Sequence, residues 1–156
     1  MTPEMIKELH KILTERTLDD ASKSGAFRNG DDDIHVIEKR IIQLCHIANN
    51  PDFIEHFMHP VIKSIFLHFL LSYIHPFVDG NGRAARALFY WSMLKEGYCL
   101  TEFISISRIL TNAPSKYGMS YLYTETDDND LSYFIDYQLQ VIKRSIEDLH
   151  KYIIKK

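Results

Sequence analysis

Between His75 and Arg86 the chain reads HPFVDGNGRAAR, which sets an imidazole, one carboxylate, a Gly-Asn-Gly turn and two guanidinium groups close together. Gly80, Asn81 and Gly82 stand where a loop runs into a helix. The first N–H groups of a helix lack partners, and the helix dipole adds positive potential there. Two glycines allow a tight turn and let anionic oxygens approach the backbone. Arg83 and Arg86 are three positions apart, so they project from one face of that helix. Each can make charge-assisted bonds to phosphate worth about 1.5–3 kcal/mol. Asp79 is the one carboxylate of the stretch. Beside a polyphosphate it repels the ligand unless a cation intervenes, and Mg²⁺ favours one or two carboxylates with phosphate oxygens and water. His75, with an ordinary pKa of about 6.5, suits a base that accepts a proton near neutrality. Taken singly, a GNG is a turn, a histidine after an apolar helix is structural and an arginine pair is a solvated face. In this order, behind an apolar helix, they read as one site for a metal-bound polyphosphate with a base beside it.

The elements that must position this loop are helical by apolar spacing. Thr2-Pro3 starts a helix with Pro3 as its first residue, and Ile6, Leu9, Ile12 and Leu13 give its stripe. Asp19 to Asp33 is rich in Gly, Ser, Asn and Asp and reads as a long loop. Ile34 to Ile37 is β-branched and alternates, which predicts one arm of a small hairpin, with a helix following from about Glu38 to Ala48. Pro60 opens a helix to about Ile74 that is apolar nearly all round, hence central and buried. The motif follows it, then a helix over roughly Arg83 to Glu96 closed by Gly97. Ser105 or Ser107 caps a short helix ending before Pro114, and Lys116 to Glu125 is helical. Asp130 caps a final helix to about residue 155, with its stripe on Leu131, Phe134, Ile135, Leu139, Ile142, Ile146, Leu149 and Ile153. The expectation is one all-α domain over residues 1–156, built round a central buried helix, with one small β-hairpin.

Composition excludes several classes. A chain of 156 residues with 46% hydrophobic and 25% charged residues is ordinary for a globular domain. A net charge of -3 offers no footprint for nucleic acid. No run is long and apolar enough for a membrane span, because Val61 to Tyr73 is broken by Lys63, Ser64 and His68. Cys45 and Cys99 are isolated thiols without a CxxC pair, pointing to the reducing cytoplasm. His56 and His59 form an HxxH, with His46 and His68 nearby in sequence, but no fourth ligand or HExxH context makes them a zinc site.

The motif resembles the signature of the Fic (filamentation-induced-by-cAMP) family, His-x-Phe-x-Asp/Glu-Gly-Asn-Gly-Arg-x-x-Arg, and fills every fixed position. The flanks are similar too: HPVIKSIFLHFLLSYIHPF to the family's central helix, and Gly25-Ala26-Phe27-Arg28 to the Gly-x-aromatic-Arg segment before its flap. SISRIL, Tyr117 and the Asp130 helix are similar to its C-terminal part. The resemblance implies a Fic-like bundle and transfer of AMP from ATP, with Mg²⁺, to a Ser, Thr or Tyr hydroxyl of a target protein, releasing pyrophosphate. His75 would deprotonate the hydroxyl and Asp79 would hold Mg²⁺. Gly80, Asn81 and Gly82 would cradle the phosphates, and Arg83 and Arg86 would bind the β- and γ-phosphates. A flap over about residues 25–37, with Ile34, His35, Val36 and Ile37 as its arm, would dock the target as an added strand. Relatives that phosphorylate carry Lys where Gly82 stands, so glycine points to AMP; UMP or another nucleotide stays open. Where relatives show two adjacent tyrosines near the base, this chain has Tyr117 followed by Gly118, with Tyr121 and Tyr123 as alternatives, so the base pocket rests on Tyr117 and Tyr121 alone.

Many relatives are restrained by a Ser/Thr-x-x-x-Glu-Gly/Asn helix. Ser92 to Gly97 matches it in letters, yet Glu96 lies about 15 Å along the same helix from Arg86 and cannot pair with it. The expectation is a short form without its brake, or a brake on a separate partner, and hence self-modification. Homodimers, a nucleotide-binding regulatory module without transfer, and removal of AMP from modified proteins are the other expectations carried forward.

Overall fold

The computed structural model describes residues 1–29, 34–50 and 57–155. Its elements are helices α1 (Pro3–Thr14), α2 (Ile34–Asn49), α3 (Pro60–Ile74), α4 (Asn81–Lys95), α5 (Ile106–Asn112), α6 (Pro114–Thr126) and α7 (Ser132–Ile154). Short 3₁₀ turns lie at Ala21–Lys23 and Cys99–Phe103. No strand occurs among the described residues, and no helix among them is long and apolar enough to cross a membrane. Contacts divide the chain into two compact units, Met1–Glu96 and Gly97–Lys156.

In the first unit α3 and α4 pack most extensively, with α2 against α3 and α1 against α4. The reason lies in the side chains at the crossing. Ala84 and Ala85 of α4 are fully buried and keep that helix slim, so α3 can approach it. Leu67 and Leu71 of α3 and Leu88 of α4 share one buried cluster with them, each worth roughly 1.5–3 kcal/mol on burial. Ser64 of α3 donates to Ser92 of α4 at 2.9 Å, so a buried polar pair is satisfied within the same interface. His68 of α3 is also sealed in. Burial pushes its pKa down to about 3, and the nearby Arg86 charge acts in the same direction. The imidazole is therefore neutral at physiological pH.

The hairpin expected at Ile34 to Ile37 is overturned. These residues form the first turn of α2, not a strand. Alternation over four residues is outweighed by the longer repeat Ile37–Ile41–Leu44–Ala48, whose members are all buried in the core. An amphipathic helix buries all of them at once, whereas a strand would split them between two faces. Ile37 is inaccessible, so it cannot receive a docking segment. Of the rest of the expected flap, residues 25–29 form no strand, and residues 30–33 lie outside the described residues.

The stripe expected on α1 is also shifted. Its most buried residues are Ile6, His10 and Thr14, whereas Ile12 is 63% exposed. The α1 start is as expected, with Thr2 accepting from the Met5 N–H. In the second unit α7 packs on α5 and α6 around Phe134, Val141 and Ile142. The final helix begins at Ser132, two residues later than its expected cap, yet the Asp130 carboxylate still accepts from the Ser132 N–H at 2.9 Å.

Candidate functional site

The loop from His75 to Gly80 connects the two most intimately packed helices of the first unit. His75 closes α3 in the left-handed region, φ 50°, with its N–H bonded to the Leu71 carbonyl at 3.2 Å. A left-handed residue at this point turns the chain sharply out of the helix. The His75 side chain is exposed, while Pro76 and Phe77 behind it are buried. Gly80 then opens α4, again left-handed at φ 81°. It has to be glycine for a second reason: a Cβ there would lie 2.7 Å from Thr14 Cγ2 and 2.9 Å from His10 Nε2.

Four side chains from outside or behind the loop hold its backbone. Asn81 is buried, and its carboxamide bonds Phe77 twice, accepting from the Phe77 N–H at 2.9 Å and donating to the Phe77 carbonyl at 2.8 Å. Arg28 donates from Nε to the His75 carbonyl at 2.7 Å, and its own N–H reaches the Pro76 carbonyl at 2.8 Å. Phe27 packs obliquely on Phe77, centroids 5.5 Å apart, under the Lys7 ammonium. His10 stacks flat on Phe77 at 3.7 Å and contacts the Asp79 carbonyl at 2.8 Å. Burial lowers the His10 pKa from its ordinary value, and the Arg83 charge adds to this against the raising effects of the Asp79 carbonyl and carboxylate.

What this frame presents is a helix start bearing cations. The N–H groups of Asn81 and Gly82 meet no backbone acceptor among the described residues, and the 15-residue α4 dipole stands behind them. Arg83 donates to the Leu13 carbonyl at 3.1 Å and to Thr17 Oγ1, and lies 3.4 Å from Asp79 Oδ2. The Arg86 side chain forms no hydrogen bond to a described residue; its Nη1 sits 3.2 Å from where a Gly82 Cβ would be. Both guanidinium groups thus lie back towards the start of α4, as helical side chains lean N-terminally. The Asp79 carboxylate accepts the Gly80 N–H at 2.6 Å and is 68% exposed.

No cluster of three or more His, Cys, Asp or Glu that could cage a metal occurs among the described residues. One exposed carboxylate beside an anion-binding helix start suits Mg²⁺ that arrives with a polyphosphate, because Mg²⁺ takes few protein ligands and keeps phosphate and water oxygens.

Of the residues singled out in sequence, Asp79, Gly80, Asn81, Gly82, Arg83 and Arg86 converge on this helix start, and His75 lies at the other end of the same loop. Tyr117 and Tyr121 belong to the second unit. Their hydroxyls are 3.0 Å apart and the Tyr121 ring lies 4.6 Å from Phe134. His35 is exposed and 4.0 Å from Glu38. The residue that sequence reasoning missed is His10. It lies four positions after Ile6 and four before Thr14 on the face the structure buries, but the aliphatic pattern of the sequence did not mark that face.

A left-handed glycine opens a cation-bearing helix behind a loop that exposes an imidazole and a carboxylate, a geometry suited to anions. A profile of the Fic/DOC family matches residues 1–93, and the chain belongs to that family. A 41-residue stretch is 46% identical to "Protein adenylyltransferase Fic" of Drosophila ananassae and equally so to that of Drosophila melanogaster. That match covers 26% of this chain and 8% of each relative. Among solved structures, a Fic family protein from Desulfovibrio desulfuricans G20 superposes with a TM-score of 0.78 at 18% identity, over 97% of this chain and 47% of that one. Fic-1 from C. elegans gives 0.71 at 22% identity, over 98% and 43% respectively. The chain thus spans less than half the length of either solved relative, and the likeness to them is one of fold.

Proposed function

We propose that the chain is a protein adenylyltransferase: it moves AMP from ATP to a Ser, Thr or Tyr hydroxyl of a target protein and releases pyrophosphate. The observation that carries this reading is the loop's two left-handed ends, which put an exposed imidazole at one end and an arginine-bearing helix start at the other. The adenylyltransferase name of the locally similar Drosophila relatives supports it.

In this reading the N–H groups of Asn81 and Gly82 and the guanidinium groups of Arg83 and Arg86 bind the phosphate chain. Arg83 exchanges its contact with Asp79 for phosphate oxygens. Asp79, freed, holds Mg²⁺, which when bound neutralises charge on the leaving pyrophosphate. His75 takes the proton of the incoming hydroxyl. The oxygen so formed attacks the α-phosphorus, the bond from that phosphorus to the α–β bridging oxygen breaks, and pyrophosphate leaves. Positioning and charge stabilisation supply most of the acceleration. Gly82 matters to orientation: a larger residue there would push on Arg86 Nη1.

The test is to incubate the protein, alone and with cell lysate, with Mg²⁺ and either α- or γ-labelled ATP. The expected result is protein-bound label from the α-position only, reduced about 10²–10⁴-fold by His75→Ala. Label from the γ-position, or tight nucleotide binding with no transfer, would overturn the reading. Release of AMP from previously modified protein would make it a hydrolase, and preference for UTP would change the nucleotide.

A further inference from the structure

We infer that His10 is a positioning residue for Asp79, fixing from behind the backbone that carries the cation-binding carboxylate. This rests on the reading of Asp79 as the residue that takes Mg²⁺. The ring is only 1% exposed, yet both nitrogens are used. Nδ1 lies 3.0 Å from the Gly25 N–H, which can only donate, so Nδ1 accepts. Nε2 lies 2.8 Å from the Asp79 carbonyl, which can only accept, so Nε2 carries the proton and donates. The tautomer is fixed by its two partners.

One rigid ring therefore joins three segments far apart in sequence: α1, the turn at Gly25 and the site loop. It holds the loop at two points. The face of the ring stacks on Phe77 within 6° of parallel, and its edge holds the Asp79 carbonyl. It also abuts Gly80, where an added Cβ would come within 2.9 Å of Nε2. The contacts of the carboxylate itself are of another kind. Gly80 is its chain neighbour, and Arg83 at 3.4 Å belongs to the site. Of these contacts, only the one from His10 ties Asp79 to a distant part of the unit. When Arg83 turns to phosphate, the carboxylate keeps its place because its backbone is held.

The two nitrogens can be separated by substitution. In His10→Gln the carboxamide NH₂ reaches the Nε2 position and can still donate to Asp79. In His10→Asn the carboxamide oxygen falls at the Nδ1 position and can still accept from Gly25. The readouts are calorimetric affinity for ATP with and without Mg²⁺, thermal unfolding, and the ¹⁵N tautomer pattern of His10 in the unliganded protein. His10→Gln should keep Mg²⁺·ATP affinity within about threefold of wild type and His10→Asn should weaken it by about tenfold or more, while metal-free ATP binding changes little in either. The wild-type ring should show the Nε2–H tautomer. Equal losses in the two variants, losses that track unfolding temperature alone, or an Nδ1–H tautomer would overturn the inference. Wild-type protein that binds no Mg²⁺·ATP would instead overturn the reading of the site, with the Nε2–H tautomer still marking the clamp on Asp79.

Discussion

Residues before Gly97 and residues after it fold by the same helical rules but spend their polar side chains differently. In the first unit many span distance, alongside local bonds such as those of Thr14 to the His10 carbonyl and Ser64 to the Pro60 carbonyl. His10 reaches Asp79, Arg28 reaches His75, Arg83 reaches Leu13, and Ser64 reaches Ser92. In the second unit most are local. Thr111, Ser120, Thr126 and Ser145 each bond a carbonyl three or four residues back in their own helix, and the Asp130 carboxylate accepts from the Ser132 N–H two residues on. The difference follows from what each unit must hold. Helix packing needs only apolar faces, as around Phe134, and local polar bonds merely keep hydroxyls satisfied. A loop with two left-handed turns has no ladder of its own, so its backbone groups must be met from elsewhere. The family profile, matching residues 1–93, covers almost the whole of the unit that does this.

The sharpest way to break the comparison uses one glycine from each unit. Gly80 and Gly97 both have positive φ, 81° and 87°. A Cβ on Gly80 would collide with Thr14 and His10, whereas one on Gly97 would meet nothing within 4 Å. Gly97→Ala should cost only the left-handed backbone term, about 1–2 kcal/mol. Gly80→Ala should cost about 2–5 kcal/mol, because overpacking adds to that term. Denaturant unfolding of both variants checks this. Equal losses would mean that the packing of α1 on the loop is softer than the geometry says.

Next in size is a pH effect confined to the first unit. His68 has its pKa lowered to about 3 in the folded chain by burial and then by the Arg86 charge. In the unfolded chain it returns to about 6.5. Between these values the unfolded state binds a proton that the folded state refuses, so stability falls as pH is lowered from about 6.5, by about 1.4 kcal/mol per unit, and gains nothing from this group above it. His10, lowered chiefly by burial, acts in the same direction. His68→Leu should flatten the dependence of unfolding free energy on pH between 6 and 5 by about one such step. An unchanged slope would show that the buried ring is not neutral.

Much of this was legible in the residues before any coordinates. The helices at Pro3, Pro60 and the start of α4 announce themselves by proline at the first turn, apolar repeat and a Gly-Asn-Gly turn, all local signals. The chemistry of the loop was legible for the same reason, since its groups are neighbours in sequence. The start of α2 was not. Ile34-His35-Val36-Ile37 alternates over four residues, and only the later partners Ile41, Leu44 and Ala48 show that Ile37 belongs to a helical face. The His10 clamp was hidden more deeply. A histidine on α1 has no sequence relation to Asp79, 69 positions away, and reading α1 by its aliphatic residues favoured Ile12 over the face that is buried. Period finds apolar faces; it is blind to a polar residue that is buried because it serves another segment.

The smallest effect is expected where the second unit does use a long-range polar contact. Arg108 of α5 donates to Asp148 of α7 at 2.5 Å, with both side chains substantially exposed. Solvent screens such a pair, and ordering two long side chains costs entropy, so its coupling should be only about 0.2–1 kcal/mol. A double-mutant cycle with Arg108→Gln and Asp148→Asn measures it free of other losses. In 1 M salt, where the screening length is about 3 Å, the coupling should fade towards zero. The His10 contact, buried and made between a neutral ring and a carbonyl, should be indifferent to salt. Should the Arg108 pair instead couple by several kcal/mol and resist salt, reach across sequence alone would not separate the two units. What separates them is that the bonds of Asn81 and His10 to the loop are made by side chains buried away from water.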